Sequence, residues 1–449
     1  MRQSTLLLCR HLHRRTQTTT ASLLLARAQG SLRSSRSKST VVTAWGAYLG
    51  RFAEARASDT CTLSMADGSI QPEEHALLVP TRLSLDKLAG PTVLASNARI
   101  SAMGAGVRHA LIAFDSPENA YNTHLLGIGL NRCQQLGKMA ADSTVTPVVT
   151  NVSGKISQIA CGREHSAFLI EKPDRSIHVA VCGSNAFGQI GLDTPLRHAV
   201  DPPILMSFAL SDLASLDDAM ATGESPVKVQ CGMDHTVVLT SSGRAFAMGW
   251  GADGQLGAGP NSATVFSRPV LVSGLEEAPL TDISSSTDFT LALTADNRLY
   301  YWGNAEYGQC MTGAKIDQVL TPIQVPFGFG RITDIAAGGC QALVLTDDGR
   351  VYSCGYGALG LGPATIATLQ PTLIEGLRDI KAIFASTDRC IAIDSRHCIY
   401  SWGLGNAAGR LGNGTVGTNA FEPELLDNCS LATDSSMFAL GNDMALIAN

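Results

Sequence analysis

Short apolar stretches alternate with glycine-rich turns along most of the chain, and the alternation is periodic. Each unit starts with a strand-like run that ends in glycine, continues into a turn closing on Gln-Leu-Gly or a variant of it, and then enters a second alternating run such as residues 227–240. Tight polar turns such as 241–243 join the runs as hairpins. The signature glycine occurs seven times, as Gly46, Gly129, Gly183, Gly249, Gly303, Gly355 and Gly403.

This period predicts the fold. Self-similarity at about 50 residues is typical of a propeller, in which each unit covers the apolar face of its neighbour. Four short strands fit into each unit, so seven units predict an all-β, seven-bladed β-propeller. Longer intervals predict insertions in blade one, at about residues 54–98, and in blade three, at residues 192–226. Apolar residues at helical spacing predict a helix within the second insertion: Met206, Ala209, Leu210, Leu213, Leu216 and Met220.

The two ends of the repeat region are incomplete in complementary ways. The first signature, residues 41–46, has no preceding partner strand, and the last apolar segment, residues 435–448, has no signature after it. An open array would leave a sheet edge unpaired. We therefore expect the N-terminal and C-terminal segments to pair within one blade, closing a single propeller domain over residues 41–449.

The first 40 residues have a different composition. They contain eight Lys and Arg residues and many Ser and Thr, and the first acidic residue of the chain is Glu54. This composition predicts a disordered mitochondrial transit peptide, and hence a location in the matrix or on the matrix side of the inner membrane. A disordered basic arm that contacts nucleic acid is the alternative interpretation. No apolar run approaches the 18 or so residues of a membrane span, so we expect any membrane association to be peripheral.

Charge and cysteine content narrow the functional classes. Without the eight basic residues of the leader, 25 Lys and Arg face 39 Asp and Glu, a formal net charge of −14. Because affinity for nucleic acid comes largely from neutralising phosphates, this charge favours protein partners and makes any RNA contact indirect.

The 12 cysteines include no Cys-x-x-Cys pair, and Cys161 and Cys231 share one repeat position. We therefore expect buried thiols with packing roles.

Motifs for catalysis, cofactors or metals do not stand out from the repeat. Residues 249–254 and 355–360 match G-x-G-x-x-G, but each match is a repeat turn followed by more β structure, whereas a dinucleotide site needs a helix there. His109, His165 and His235 occupy one repeat position on three blades, and we expect each imidazole to hydrogen-bond within its own blade. The sequence predicts a protein that is not an enzyme, with no catalytic residue, cofactor or metal.

Both halves of the unit resemble the regulator-of-chromosome-condensation (RCC1) repeat family over nearly the whole chain after the leader. The matching motifs are Cys-Gly-x-x-His-Ser/Thr, at residues 161–166 and 231–236, and the Trp-Gly turn that begins at Trp302 and recurs at Trp402. Several turns are similar to those of the family's mitochondrial, exchange-factor-like branch. The resemblance implies a seven-bladed propeller that engages protein partners through one face.

The resemblance also implies two functions. The founding member promotes nucleotide exchange on a small GTPase, and the mitochondrial branch is linked to a fusion GTPase and to ribosomal RNA maturation. We expect a non-catalytic exchange-type regulator of a mitochondrial GTPase; the alternative is an assembly scaffold for mitochondrial ribosome biogenesis and rRNA modification, with ribosome-assembly factors as partners. The family uses the acid before its conserved His for GTPase contact, and Asp234 matches it. With Phe208, Asp217 and Asp218 of the insertion, Asp234 forms the predicted contact surface on the third repeat.

Overall fold

The structure, a computed structural model, describes residues 42–46, 60–64, 70–83, 99–116, 119, 121–138, 148–192, 207–406, 408–430 and 436–448. These ranges contain 29 strands and one short helix. The strands form seven antiparallel sheets, each of which is one blade of a propeller. The predicted all-β, seven-bladed architecture is confirmed.

The strands follow the ring in chain order. Blade one begins with β1 (Val42–Gly46), β2 (Thr60–Ser64) and β3 (Ile70–Leu83). Blade two contains β4 (Arg99–Ala105), β5 (His109–Asp115), β6 (Asn122–Gly129) and β7 (Val148–Ser153). Blade three contains β8 (Lys155–Cys161), β9 (His165–Glu171), β10 (Ile177–Ser184) and β11 (Ser207–Asp212). Blade four contains β12 (Pro226–Cys231), β13 (His235–Thr240), β14 (Ala245–Trp250) and β15 (Val265–Leu271).

The remaining blades continue this order and return to the first. Blade five contains β16 (Leu280–Ser286), β17 (Phe289–Thr294), β18 (Leu299–Asn304) and β19 (Gln318–Val325). Blade six contains β20 (Ile332–Ala337), β21 (Gln341–Thr346), β22 (Val351–Tyr356) and β23 (Ala367–Leu373). Blade seven contains β24 (Ile380–Ala385), β25 (Arg389–Asp394), β26 (Cys398–Gly403) and β27 (Ala420–Ser430). The last strands, β28 (Met437–Leu440) and β29 (Met444–Ala448), belong to blade one.

Burial along the strands reflects the packing of blade against blade. Every residue of the second strands β13, β21 and β25 is buried, because these strands are covered on both faces by neighbouring blades. The outer strand β23 is largely exposed or half-buried. Residues of the first strands line the central channel. The hydrophobic core therefore follows the ring between the blades.

The ends of the chain close the ring in one five-stranded sheet. Its strand order is β2-β3-β1-β29-β28, and β1 pairs with β29 from Val42 opposite Ala448 to Gly46 opposite Met444. Trp45 is fully buried in a cluster that includes residues of blades seven, one and two. Its indole Nε1 donates a hydrogen bond to the carbonyl of Arg410 in blade seven, at 3.0 Å. The expected pairing of the two chain ends is confirmed.

A buried arginine joins blade seven to the closing blade. The Arg389 guanidinium donates to the carbonyl oxygen of Gly441, 2.9 Å from Nη2, and to the carbonyls of Met444 and Arg410. Burial, with the nearby Arg410 guanidinium, lowers the pKa of Arg389 to about 9. The group therefore remains charged near neutral pH. It supplies the donor for the Gly441 carbonyl and a second donor for the carbonyls of Met444 and Arg410.

The insertion of blade three differs from its prediction. The predicted helix is wrong for residues 207–212, which form β11, and the helix α1 (Ala214–Ala219) has only six residues. Pairing of β11 with β10 supplies the fourth strand that completes the blade, and this pairing overrides the apolar spacing. Leu213 and Leu216 still pack into the core, on either side of the strand-to-helix junction. Residues 193–206, which include Met206, lie outside the described residues.

Other predicted features are only partly covered by the structure. The predicted transit peptide lies wholly outside the described residues, and the division of the chain at residue 40 stays a prediction. The predicted insertion of blade one, residues 54–98, contains β2 and β3. No helix in the described ranges combines the length and the apolar character that crossing a membrane requires.

Replacing Arg389 by leucine tests the closing contact. In Arg389→Leu, the Gly441 carbonyl loses its donor, and the carbonyls of Met444 and Arg410 each lose one of two donors. We therefore expect the free energy of unfolding in urea to fall by about 2–3 kcal/mol. Arg378→Leu is the control because Arg378 pairs with Glu375 at the surface, and we expect its cost to stay below about 1 kcal/mol. Equal effects of the two substitutions would contradict the closing role of Arg389.

Candidate partner-binding face

The turns that join the first and second strands of the blades lie at one end of the ring, which we call the latch face. Each turn is hydrogen-bonded to the turn of the next blade. The seven links, in order from blades two and three, are Val107 N to Gly162 O (3.2 Å), Arg163 N to Met233 O (3.1 Å), Met233 N to Thr287 O (2.8 Å), Thr287 Oγ1 to Gly338 O (3.1 Å), Gly339 N to Thr387 O (2.9 Å), Arg389 Nη2 to Gly441 O (2.9 Å) and Asn442 N to Gly106 O (3.0 Å).

The three repeat histidines add side-chain hydrogen bonds between the same pairs of blades. His109 Nε2 lies 2.9 Å from Ser166 Oγ, and His165 Nε2 lies 3.0 Å from Thr236 Oγ1. His235 Nε2 lies 2.9 Å from Ser285 Oγ. In each pair the hydroxyl belongs to the following blade, so the expectation that each imidazole bonds within its own blade is wrong. The second strands start side by side, which places each ring against the next blade.

The hydroxyl partners show which ring nitrogen donates in these pairs. Ser166 Oγ donates to the carbonyl of Gln135, and Thr236 Oγ1 donates to that of Gln189, so the hydroxyl oxygens accept from His109 and His165. His109 and His165 therefore each carry a proton on Nε2. Burial is the main cause that lowers the pKa of His109 and of His165 to about 3, and burial lowers the pKa of His235 to about 4.

Backbone crowding on the latch face explains the glycines of the repeat. The glycine three residues before each histidine lies against the ring: a Cβ on Gly162 would be 2.2 Å from His165 Cε1. We call the first residue of each second strand, such as His165 in β9, the latch residue. The signature glycines such as Gly183, with φ of +108°, approach the carbonyl of the residue that precedes a latch residue. A Cβ there would lie 2.1–2.4 Å from that oxygen at Gly183, Gly249, Gly303, Gly355 and Gly403.

The residue before each signature glycine contacts the turn of the preceding blade. Trp302 Nε1 donates to the carbonyl of Gln255 at 3.0 Å, and Trp402 packs over Gly360. Cys354 takes the same position, and its Sγ lies 3.2 Å from the carbonyl of Gly308. Burial is the main cause that raises the pKa of the Cys354 thiol to about 12, which agrees with a packing role. Nine of the cysteines are free thiols: Cys133, Cys161, Cys182, Cys231, Cys310, Cys340, Cys354, Cys390 and Cys398.

Acidic side chains cluster on the latch face from blade three to blade seven. The cluster comprises positions just before the latch residues and positions in the signature turns; we call it the acidic arc, and its members are Glu164, Asp234, Asp253, Asp288, Glu306 and Asp388. The charge of one member affects the pKa of its neighbour. After burial, the Asp288 carboxylate is the next cause that raises the pKa of Asp253. Asp388, Asp288 and Glu306 likewise add to the effect of burial in raising the pKa of Cys340 to about 11.

Asp234 lies within this arc but is less exposed than its predicted role assumes. Its carboxylate lies 2.6 Å from Arg163 Nη2, and only 15% of its side chain is exposed. Burial raises the pKa of Asp234 to about 6 even with the guanidinium beside it, and Asp288 and Glu164 add to the increase. Little of the Asp234 carboxylate is therefore available for direct contact.

The other predicted contact residues belong to a different blade. Asp217, on α1, accepts a hydrogen bond from His178 Nδ1 at 3.0 Å. His178 lies on β10 five residues before Gly183, about 17 Å of strand away from the latch face. Asp218 is exposed beside Asp217. Phe208 lies on the outer strand β11, opposite Gly183. The structure therefore does not bring Asp217 and Asp218 together with Asp234.

The grouping failed because the sequence repeat and the blade are out of phase. A repeat that starts at the signature glycine begins in the third strand of one blade and ends in the second strand of the next. The segment from Gly183 to Thr240 thus spans blades three and four. Asp288 and Asp388 occupy the same repeat position as Asp234, so aligning the repeats with one another would have identified them.

Across the parts of the chain that the structure describes, no group of three or more His, Cys, Asp or Glu side chains is placed to hold a metal ion.

Comparisons with known proteins agree with this geometry. A family model described as "Regulator of chromosome condensation (RCC1) repeat" matches residues 242–293, 296–345 and 348–393. The "RCC1-like G exchanging factor-like protein" of Mus musculus is 30% identical over 374 residues, 77% of this chain and 74% of its own length. The "RCC1 domain-containing protein RUG3, mitochondrial" of Arabidopsis thaliana is 32% identical over 262 residues, 55% of this chain and 53% of its own length.

A solved structure extends the similarity to the whole fold. The crystal structure of human WBSCR16 matches with a TM-score of 0.72 at 26% identity, over 92% of this chain and 99% of the human one. Fold and latch face define a seven-bladed propeller of the RCC1 type. The chain belongs to the regulator of chromosome condensation (RCC1) repeat family.

The buried histidines predict a pH-dependent stability. Their folded pKa values lie below the unfolded value of about 6.5, so stability present above pH 6.5 is lost as pH falls towards 4. Each histidine costs about 2 kcal/mol at pH 5. The raised pKa of Asp234 acts in the opposite sense, because its contribution is present below the unfolded value of about 3.8 and is lost as pH rises through 6.

His165→Phe tests this linkage. Phe289 fills the equivalent position in blade five, so phenylalanine fits the site without titrating. Between pH 7.5 and pH 5 we expect the free energy of unfolding to decrease by about 2 kcal/mol less in His165→Phe than in the unsubstituted protein. His124→Phe, at a ring bonded to Asn151 near the surface, is the control. An unchanged pH dependence in His165→Phe would show that the ring is not held neutral.

Proposed function

We propose that this protein is a non-catalytic, exchange-type regulator of a small GTPase and that the GTPase binds to the latch face. Membership of the RCC1 family supports the class, and so does the exchange-factor name of the mouse relative. The acidic arc is the observation that carries the proposal. Its members lie on blades three, four, five and seven, on the face where the turns also hold the ring together.

Exchange requires no bond to be made or broken in the protein. A regulator that binds the nucleotide-free GTPase more tightly than the loaded form accelerates nucleotide release by that difference in affinity. An emptied phosphate site presents a lysine and the N-terminus of a helix, which together carry positive potential. The carboxylates of the acidic arc stabilise such a surface and speed its approach.

We place the protein in the mitochondrial matrix or on the matrix side of the inner membrane. The basic, acid-free composition of residues 1–40 supports this location. The mitochondrial name of the Arabidopsis relative agrees with it. The GTPase is then a mitochondrial one.

A scaffold for ribosome assembly is the second candidate. A net charge of −14 outside the leader suits binding of protein assembly factors rather than of RNA itself. A scaffold would bind its partners without changing the rate at which a GTPase releases nucleotide. A rate measurement therefore distinguishes the two functions.

The exchange test uses purified full-length protein and a panel of purified mitochondrial GTPases loaded with a fluorescent GDP analogue. We expect the protein to accelerate release at least tenfold for one of them. The double substitution Asp253→Asn and Asp288→Asn removes two charges of the arc with little change of shape. It should reduce the acceleration about tenfold, because charges at an interface act mainly on association.

The matched control removes the same charge elsewhere. Asp217→Asn with Asp218→Asn neutralises two carboxylates at the far end of blade three, and we expect acceleration within twofold of the unsubstituted protein. No acceleration of any GTPase would reject the exchange function and favour the scaffold. Equal losses in the two double variants would reject the latch face as the site.

A further inference from the structure

Four exposed apolar side chains lie together where blades five and six meet the latch face. Tyr307 is 42% exposed, Tyr356 49%, Ile366 45% and Leu369 38%. They are four of nine large hydrophobic side chains exposed in the described part of the chain. Scattered exposed apolar residues are normal, but a contiguous group marks an interaction site. We call these four residues the aromatic patch.

Contacts show that the patch is continuous. The rings of Tyr307 and Tyr356 have centroids 6.1 Å apart. Leu369 reaches the turn of Tyr307, because a Cβ on Gly308 would lie 2.5 Å from Leu369 Cδ2. The carbonyl of Ile366 accepts the N–H of Gly357, which adjoins Tyr356. The side chains of Tyr307, Tyr356 and Leu369 therefore lie on one surface that crosses the boundary between two blades, and the backbone of Ile366 adjoins it.

The backbone beneath the patch is fixed by hydrogen bonds. The N–H of Tyr307 donates to Gln309 Oε1 at 3.0 Å, and that glutamine is fully buried. The N–H of Gly313 donates to the carbonyl of Leu369 at 2.8 Å, which ties the turn of blade five to the outer strand of blade six. A surface ordered in advance costs a partner little to bind.

The rim of the patch is acidic. Glu306 is exposed next to Tyr307, and together with Asp288 and Asp388 it acts on the Cys340 thiol. Cys340 is in turn the main influence that raises the pKa of Tyr307, followed by burial and Glu306. Glu306 is itself a member of the acidic arc, so the arc borders the patch. In the turn that follows, the exposed Lys315 and Asp317 have opposite charges.

The shape of the surface suits a helix rather than a strand. The ring centroids of Tyr307 and Tyr356 lie 6.1 Å apart, and residues i and i+4 of a helix are separated by about 6 Å along its axis. Strand addition at β23 is hindered, because Gly313 already occupies the Leu369 carbonyl and Pro371 has no N–H to offer. Apolar anchors at i, i+3, i+4 and i+7 would fit between the tyrosines and the leucine.

We propose that the aromatic patch is the docking site for an amphipathic helix of a protein partner, with an apolar stripe flanked by Lys and Arg. The apolar stripe covers the four side chains, and the basic residues meet Glu306 and the acidic arc. Tyrosines at the centre of an interface are typical sources of binding energy. The inference goes beyond nucleotide exchange, since it concerns any partner that carries such a helix.

A designed probe tests the inference without knowledge of the partner. The probe is a fluorescent 18-residue peptide with leucines at helical a and d positions and lysines elsewhere, and its binding to the full-length protein is followed by anisotropy. We expect Tyr307→Ser with Tyr356→Ser to weaken binding at least tenfold. Glu306→Lys should also weaken binding, because it places a positive charge on the rim.

Two controls make the result specific. Val416→Ser with Leu425→Ser removes two similarly exposed apolar residues from blade seven, and we expect unchanged binding. The same peptide with glutamates in place of lysines should not bind. Equal affinity of the tyrosine variant and the unsubstituted protein, equal losses in both double variants, or binding of the glutamate peptide would each overturn the inference. The peptide-binding test does not measure nucleotide release, so its result is independent of whether exchange activity is found.

Discussion

The hydrogen bonds between successive turns on the latch face are the constraint on which the rest of the structure depends. Each blade buries its second strand against its neighbours, and the turn before that strand bonds to the next turn around the ring. In six of the seven links the donor belongs to a residue of the turn itself. In the link from blade seven to blade one, the donor is the guanidinium of Arg389, the first residue of β25. That link joins segments about 50 residues apart next to the strand pairing that brings the two chain ends together.

The same turns set both stability and surface charge. The latch residue points inwards and holds the next blade, as His165 and His235 do; in blade five its place is taken by Phe289, which stacks on Tyr301 with ring centroids 5.2 Å apart. The residue just before it is acidic in most blades, although in blade four that residue, Asp234, is largely buried. Because one turn carries both residues, the rigid ring holds the acidic arc in place. A partner therefore meets a charge pattern that the fold has already ordered.

The sequence was sufficient for the architecture and insufficient for the contact surface. Positive φ and a nearby carbonyl require glycine at signature positions such as Gly183. The spacing of these glycines therefore predicts the number and the length of the repeat units. Closure followed from the incomplete ends. The extent of α1 could not be predicted, because the need for a fourth strand in blade three outweighs local apolar spacing. The burial of Asp234 against Arg163 depends on two turns 71 residues apart, which no local pattern reveals.

The central claim is that the turn-to-turn bonds unite seven blades into one cooperative ring. Native-state hydrogen exchange of the full-length protein, read by mass spectrometry at increasing urea, measures this most directly. We predict that the amides of Arg163, Met233, Gly339 and Asn442 exchange with one common free energy, equal to that of global unfolding, and lose protection together. Loss of protection blade by blade, beginning at the closing blade, would contradict the account, since an open repeat array unfolds in that way.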